Sequence, residues 1–189
     1  VSPYDIAGFV TGLINVWFTV RNDVWNWPWG IVNSAVFLVS FWTAGLFADS
    51  ALQIVYIVLG AYGWWAWLHG RNAAALPISH LTRNGGLLAG AALLVMTAVF
   101  ARVLANALGS TVPLWDGITT ALSLVAQVLL TRRIIENWWF WLAADAIYIP
   151  LYFSKHLPLT SVLYVVFFGL CIAGLAQWRR ELGAAAAPA

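Results

Sequence analysis

Residues 113–154 read PLWDGITTALSLVAQVLLTRRIIENWWFWLAADAIYIPLYFS, two apolar runs (113–131 and 137–154) separated by a short polar turn at Arg132 and Arg133. An α-helix rises about 1.5 Å per residue and a bilayer core is about 30 Å thick, so roughly 17 to 25 apolar residues cross it. Each run is therefore a membrane span. Read outward from here, the same rule gives seven spans: roughly 4–20, 27–45, 49–68, 85–107, 113–131, 137–154 and 158–177. Pro28, Pro113 and Pro158 stand near span starts, where a missing N–H costs a helix little. Residues 69–84, with His69, Arg71, Asn72, Pro77, His80 and Arg83, read as the one long polar loop.

Composition agrees. Of the 189 residues 62% are hydrophobic and 8% charged, with a mean hydropathy of +0.83. A soluble domain carries about 25% charged residues, because water must be faced on every side. The formal charge of +2 comes without a basic run, which argues against nucleic acid as a partner. Cys171 is the sole cysteine, so no internal disulfide and no Cys-based metal site is expected. Nothing in the first residues reads as a removable signal, and the Ala-rich stretch 181–189 reads as a disordered tail.

Lys and Arg set the orientation. Arg21, Arg71, Arg83, Arg132, Arg133, Arg179 and Arg180 fall on one side of the seven-span scheme. Arg102 and Lys155 fall on the other, with Asp5, Asp49 and Asp116. This bias places the C-terminus in the cytoplasm and the N-terminus outside.

The chain also repeats itself. A shift of 111 residues, without a gap, lays Asp5 on Asp116, Arg21 on Arg132, Asn26-Trp27 on Asn137-Trp138 and Ser50 on Ser161. It also lays Gly63 on Gly174 and Trp67 on Trp178. Leu on Leu is expected in apolar sequence; Asp, Arg, Asn-Trp, Gly and Trp in one register is not. The shift equals four crossings, so the two copies run in the same direction. The fold class that follows is an all-α membrane protein of seven transmembrane helices arranged as 3+1+3 parallel repeats, a transporter plan with substrate held where the repeats meet. Its parts are a first three-helix repeat (1–68), a loop and linker helix (69–110), a second repeat (111–180) and the tail.

Polar residues deep in such spans need a reason, because an unpaired polar group in lipid costs several kcal/mol. Trp138, Trp141, Asp145, Tyr148 and Tyr152 fall on one helix face, an aromatic stripe around a single carboxylate. Such a face suits a cationic or hydroxylated aromatic ligand. An intramembrane carboxylate is a functional candidate by default, although a structural hydrogen bond to a neighbouring helix is the competing explanation for Asp145. Trp138 equally suits an interfacial belt. Gln53 and Tyr56 stand one to two turns inside the third span, and Gln127 reaches the middle of the fifth. Thr119, Thr120 and Ser123 are explained as well by bonds to their own helix. Asn33 and Ser34 lie below Trp27-Pro28-Trp29, and Pro150 sits inside the sixth span. A retinal protein needs a lysine within its last span, and the one lysine, Lys155, precedes it. An intramembrane hydrolase needs a base inside the membrane, and His69, His80 and His156 all fall in or near loops. The chain reads as a carrier and not an enzyme, with no cofactor.

The runs TTALSLVAQ (119–127), RRIIENWWFW (132–141), Asp145, LYFSK (151–155) and TSVLY (160–164) resemble the second half of the PnuC family of nicotinamide riboside transporters. NWPWGI (26–31), QIVY (53–56) and YGWWAW (62–67) resemble its first half, and the likeness runs from about residue 5 to 180. The resemblance implies a three-one-three helical architecture shared with SWEET sugar transporters. It further implies a homotrimer in the bacterial inner membrane and uptake of nicotinamide riboside by facilitated diffusion, made one-way by a cytoplasmic kinase. Carried over position by position, it implies substrate contacts at Gln53, Tyr56, Gln127, Asn137, Trp138, Trp141, Asp145 and Tyr164, with Asn26 and Asn33 beside them. Transport of thiamine or another vitamin, and ligand binding without transport, are the alternatives.

Overall fold

The structure, a computed structural model, describes residues 3–43, 47–70, 76–107, 112–154 and 158–186. Arg71 and Asn72 of the expected polar loop, and Lys155 and His156 before the last span, lie outside the described residues, as do the side chains of Asp5 and Asp49. The described residues form seven helices: α1 (Pro3–Val20), α2 (Asn26–Thr43), α3 (Phe47–His69), α4 (Arg83–Ala107), α5 (Pro113–Thr131), α6 (Asn137–Ser154) and α7 (Pro158–Ala186). Pro113 and Pro158 open their helices, and Pro150 lies inside α6 without ending it. Among the described residues, four stretches are long and apolar enough to cross a membrane: Ser50–His69, Arg83–Asn106, Pro113–Thr131 and Ser161–Ala184. Ile6–Val20 is a shorter apolar helix.

One boundary differs from expectation. The last helix continues to Ala186, into the stretch expected to be a disordered tail. Alanine is the best helix former, and Glu181 holds the extension by accepting hydrogen bonds from Gln177 (3.0 Å) and Asn22 (2.7 Å).

The chain divides into two compact units. The first comprises Val1–Ile78, Thr131–Arg133 and Ala173–Ala189. In it α2 packs against both α1 and α3, and side-chain amides tie the helices. Asn15 Nδ2 donates to the Asn26 carbonyl (2.6 Å), and Asn33 Nδ2 donates to the Gly8 carbonyl (2.7 Å) and Thr11 Oγ1 (2.9 Å). These bonds satisfy backbone oxygens from within the protein, as a membrane interior demands.

The second unit comprises Ser79–Leu130 and Ile134–Ile172. Gly117 lets α5 lie against the backbone of α4 at Thr97 and Ala101. Below the helices, Glu136 accepts from the Leu81 N–H (2.9 Å) and lies 2.9 Å from His80 Nδ1. Ile135 N–H donates to the Ser79 carbonyl at 3.0 Å.

The sequence repeat is also a repeat of local structure. In α1, Asp23 N–H reaches back to the Phe18 carbonyl (2.9 Å) and in α5 Ile134 N–H reaches the Leu129 carbonyl (3.0 Å). Both are the closing bonds of a left-handed helix terminus, and the left-handed residues, Asn22 (φ 55) and Arg133 (φ 52), correspond under the 111-residue shift. Asn26 Nδ2 donates to the Asp23 carbonyl and Asn137 Nδ2 to the Ile134 carbonyl, each at 2.7 Å. Phe37 stacks on Phe41 and Tyr148 on Tyr152, each with centroids 5.6 Å apart. Ser50 Oγ donates to the Leu38 carbonyl (2.9 Å) and Ser161 Oγ to the Ile149 carbonyl (2.8 Å).

The serine pair makes a test. Ser50→Ala and Ser161→Ala each delete one buried interhelical bond, worth about 1 kcal/mol. Thermal unfolding of the two purified variants should show equal losses. A loss at one site with none at the other would mean that the matched geometry carries unmatched energies.

Candidate functional site

In the second unit, α6 presents Asn137, Trp138, Trp141, Asp145, Tyr148 and Tyr152 in succession. Asn137 is fully buried. Its amide nitrogen caps the turn at Ile134, and its Oδ1 takes no hydrogen bond from any described residue. Trp138, the second residue of α6, is 1% exposed. Trp141 is half-buried.

Asp145, one turn further, is 4% exposed. Cys171 of α7 donates its thiol to Asp145 Oδ2 at 3.5 Å. Tyr164, also on α7, joins Tyr148 (centroids 4.5 Å apart) and Tyr152 (5.2 Å, within 12° of parallel) in a three-ring stack, with Phe167 edge-on at 5.8 Å. Tyr148 stands beside Thr119 and Ser123 of α5, and Thr119 Oγ1 donates to the Trp115 carbonyl of its own helix at 3.0 Å. The second unit thus brings Asp145 and Tyr164 into one polar-aromatic cluster that three helices hold in place. Gln127 is half-buried one turn beyond Ser123 on α5.

Gln53 and Tyr56 stand half-buried on α3 in the first unit. Asn26 is buried as a turn cap, matching Asn137, and the amide nitrogen of Asn33 is occupied in tying α2 to α1. These two amides act first as structural ties; their carbonyl oxygens are what they could offer a ligand.

Two features escaped sequence reasoning. The Asp145–Cys171 contact joins side chains 26 residues apart on different helices, beyond the reach of any short spacing. The second is Arg133, whose guanidinium lies 4.0 Å over the Trp67 ring in the first unit and donates to the Leu76 and Asn22 carbonyls (2.5 and 3.2 Å). Burial lowers the pKa of Arg133 and nearby Glu181 raises it. Counted as a topology signal, Arg133 gave no hint of this. The pointer was the shift itself, which lays Arg133 on Asn22, a residue type that tolerates left-handed turns.

Long apolar helices whose polar groups bond to one another define a multi-pass helical membrane protein. The family described as nicotinamide mononucleotide transporter matches residues 2–180, and the chain belongs to that family of membrane transporters. The nicotinamide riboside transporter PnuC of Escherichia coli (strain K12) is 25% identical, with 98% of this chain and 90% of that protein covered. The riboflavin/roseoflavin transporter RibM of Streptomyces davaonensis is 26% identical, covering 92% and 83%. A crystal structure of the vitamin B3 transporter PnuC superposes with a TM-score of 0.74 at 27% identity, over 94% of this chain and 81% of that one.

Proposed function

We propose that this chain carries nicotinamide riboside across a bacterial inner membrane by facilitated diffusion, as a homotrimer of 3+1+3 protomers. The observation that carries the reading is the cluster of Asp145 with Tyr148, Tyr152 and Tyr164, a carboxylate beside stacked rings within apolar helices. Ring faces attract a cationic pyridinium, and a carboxylate accepts from ribose hydroxyls. Gln53, Tyr56, Gln127, Asn137, Trp138 and Trp141 complete the contacts, with Asn26 and Asn33 supporting them.

Nucleoside is favoured over mononucleotide by charge. A phosphate asks for Lys or Arg, and none occurs in 113–131, 137–154 or 158–178. The likeness to RibM favours a second reading, in which the same stacked rings take a flavin. Proteoliposomes decide between them. Labelled nicotinamide riboside should enter without an ion gradient, and excess unlabelled nicotinamide riboside should compete better than riboflavin, thiamine or the mononucleotide. Competition by riboflavin alone would replace the first reading with the second. The seven arginines on one side orient the C-terminus to the cytoplasm, and a reporter fused there that reads periplasmic would reverse that assignment.

A further inference from the structure

In the first unit, α1 has two faces of opposite character. Gly8, Asn15 and Thr19 face inward: the Phe37 ring lies over Gly8, Asn15 Nδ2 donates to the Asn26 carbonyl, and Thr19 is buried. The outer face carries Ile6, Val10 and Trp17, all exposed. It ends in exposed Arg21, whose N–H still donates to the Trp17 carbonyl and so continues the last turn. At about 100° per residue, these four positions fall within about 60° of one another around the helix axis.

Arg21 closes this stripe without a counter-charge. Its guanidinium carbon lies 5.9 Å over the Trp17 ring, and among the described residues no carboxylate lies within ion-pair distance of it. The nearby carboxylates are engaged elsewhere. Asp23 Oδ1 accepts from the Trp25 N–H at 2.9 Å, and Glu181 accepts from Asn22 and Gln177. Arg132 and Arg180 are exposed in the same unit. Arg132 precedes Arg133, which donates to the Asn22 carbonyl, and Arg180 precedes Glu181, which accepts from Asn22 Nδ2. Positive charge therefore gathers around Asn22, next in sequence to Arg21. The length of the stripe matters too. Val10 stands eleven residues before Arg21, about 16 Å along the axis, close to half of a bilayer core about 30 Å thick. The exposed indoles of Trp17 and Trp25 stand near its charged end, as rings at headgroup level do.

We propose that the outer face of α1 is a binding site for an anionic phospholipid: Arg21 takes the headgroup phosphate, and an acyl chain lies along Trp17, Val10 and Ile6. The site goes beyond the carrier reading and does not depend on which substrate is carried. A guanidinium forks onto phosphate oxygens, and its apolar stem rests on the indole beneath it. The surplus charge of Arg132 and Arg180 favours a headgroup of net negative charge over a zwitterionic one. A second protomer on this face would have to bring a carboxylate to Arg21, whereas a phospholipid brings its own anion.

Native mass spectrometry of the detergent-purified protein, titrated with dioleoylphosphatidylglycerol or dioleoylphosphatidylcholine, tests the site. The wild-type protein should retain phosphatidylglycerol in preference to phosphatidylcholine. Arg21→Gln should weaken the first bound phosphatidylglycerol about fivefold, the worth of one arginine near an anionic surface. Arg102→Gln, which removes an exposed cation from α4 in the second unit, should leave it unchanged. Equal weakening in both variants would reduce the effect to net charge and overturn the site, as would equal retention of the two lipids. Excess inorganic phosphate should not displace the lipid; displacement would mean a free-anion site instead. Brominated lipids then locate the acyl chain. In phosphatidylcholine vesicles, the emission that Trp17→Phe removes should be quenched about twofold more by dibrominated phosphatidylglycerol than by dibrominated phosphatidylcholine at the same mole fraction. Equal quenching by the two, or none because a second protomer covers Trp17, overturns the proposal.

Discussion

Gly117→Val should cost about 3 kcal/mol, the upper end of the overpacking range, whereas Gly90→Ala should cost nothing or gain up to about 1 kcal/mol. Both positions are helical glycines, and their surroundings are opposite. A β-carbon on Gly117 would lie 2.8 Å from the Ala101 amide nitrogen and 3.1 Å from the Thr97 carbonyl. Those are backbone atoms of α4, which cannot rotate aside as a side chain would, so α4 and α5 must separate along their contact. At Gly90 nothing lies within 4 Å of the added carbon, and helix propensity alone decides the sign. Close approach through small residues is how helices bind one another where lipid removes the hydrophobic drive. For a chain of this size 3 kcal/mol is roughly 6–12 °C in Tm. Thermal unfolding of the two variants in one detergent measures both. Equal shifts in the same direction would mean that the α4–α5 contact contributes nothing to holding the second unit together.

The fold was open to sequence reading because its two rulers, apolar run length and the 111-residue repeat, are both one-dimensional. Helix starts at Pro113, Asn137 and Pro158 coincide with expected span starts, since proline and an asparagine cap act within a turn of where they stand. The end of α7 lies beyond the expected one because the Ala-rich stretch after Glu181 reads as low-complexity tail, whereas alanine favours helix and Asn22 and Gln177 anchor the turn at Glu181. The candidate site's aromatic stripe was legible for the same reason. A stripe on one helix follows from spacing, so Trp138, Trp141, Asp145, Tyr148 and Tyr152 could be named together. What one helix offers another does not follow from spacing. Tyr164 reaching the Tyr148–Tyr152 pair, Cys171 reaching Asp145 and Arg133 reaching Trp67 are all contacts of packing. The repeat sharpens the point. Phe37 and Phe41 stack as Tyr148 and Tyr152 do, yet Ser34 stands at the position of Asp145, Gly60 at that of Cys171 and Gln53 at that of Tyr164. The shared scaffold carries different chemistry in its two copies, and the carboxylate belongs to the second alone.

That asymmetry makes Asp145→Asn the most telling change at the site. Asparagine keeps the shape and one oxygen, but replaces the other with a donor. If Asp145 accepts from ligand hydroxyls, nicotinamide riboside binding should weaken by about 1.5–3 kcal/mol, the range for hydrogen bonds to charged groups. That is roughly 10- to 150-fold in Kd. The Cys171 thiol donates to Oδ2 at 3.5 Å, which leaves Oδ1 and the second acceptor site of Oδ2 for ligand hydroxyls. Ser34→Ala, at the equivalent position of the first repeat, should leave affinity within about 0.5 kcal/mol of wild type, because no carboxylate stands there to be lost. The competing role for Asp145 is structural: a carboxylate that ties α6 to α7 through Cys171. On that account Asp145→Asn lowers Tm, Cys171→Ala lowers it by a similar amount, and the folded remainder binds normally. Calorimetric affinity and Tm measured on the same three purified variants separate the two roles. Weakened binding with a modest change in Tm places the carboxylate on the substrate. Normal affinity in Asp145→Asn together with a matched loss of stability in Cys171→Ala would confine Asp145 to the helix contact and leave Gln127 and the tyrosine hydroxyls as the polar groups of the second unit's candidate site.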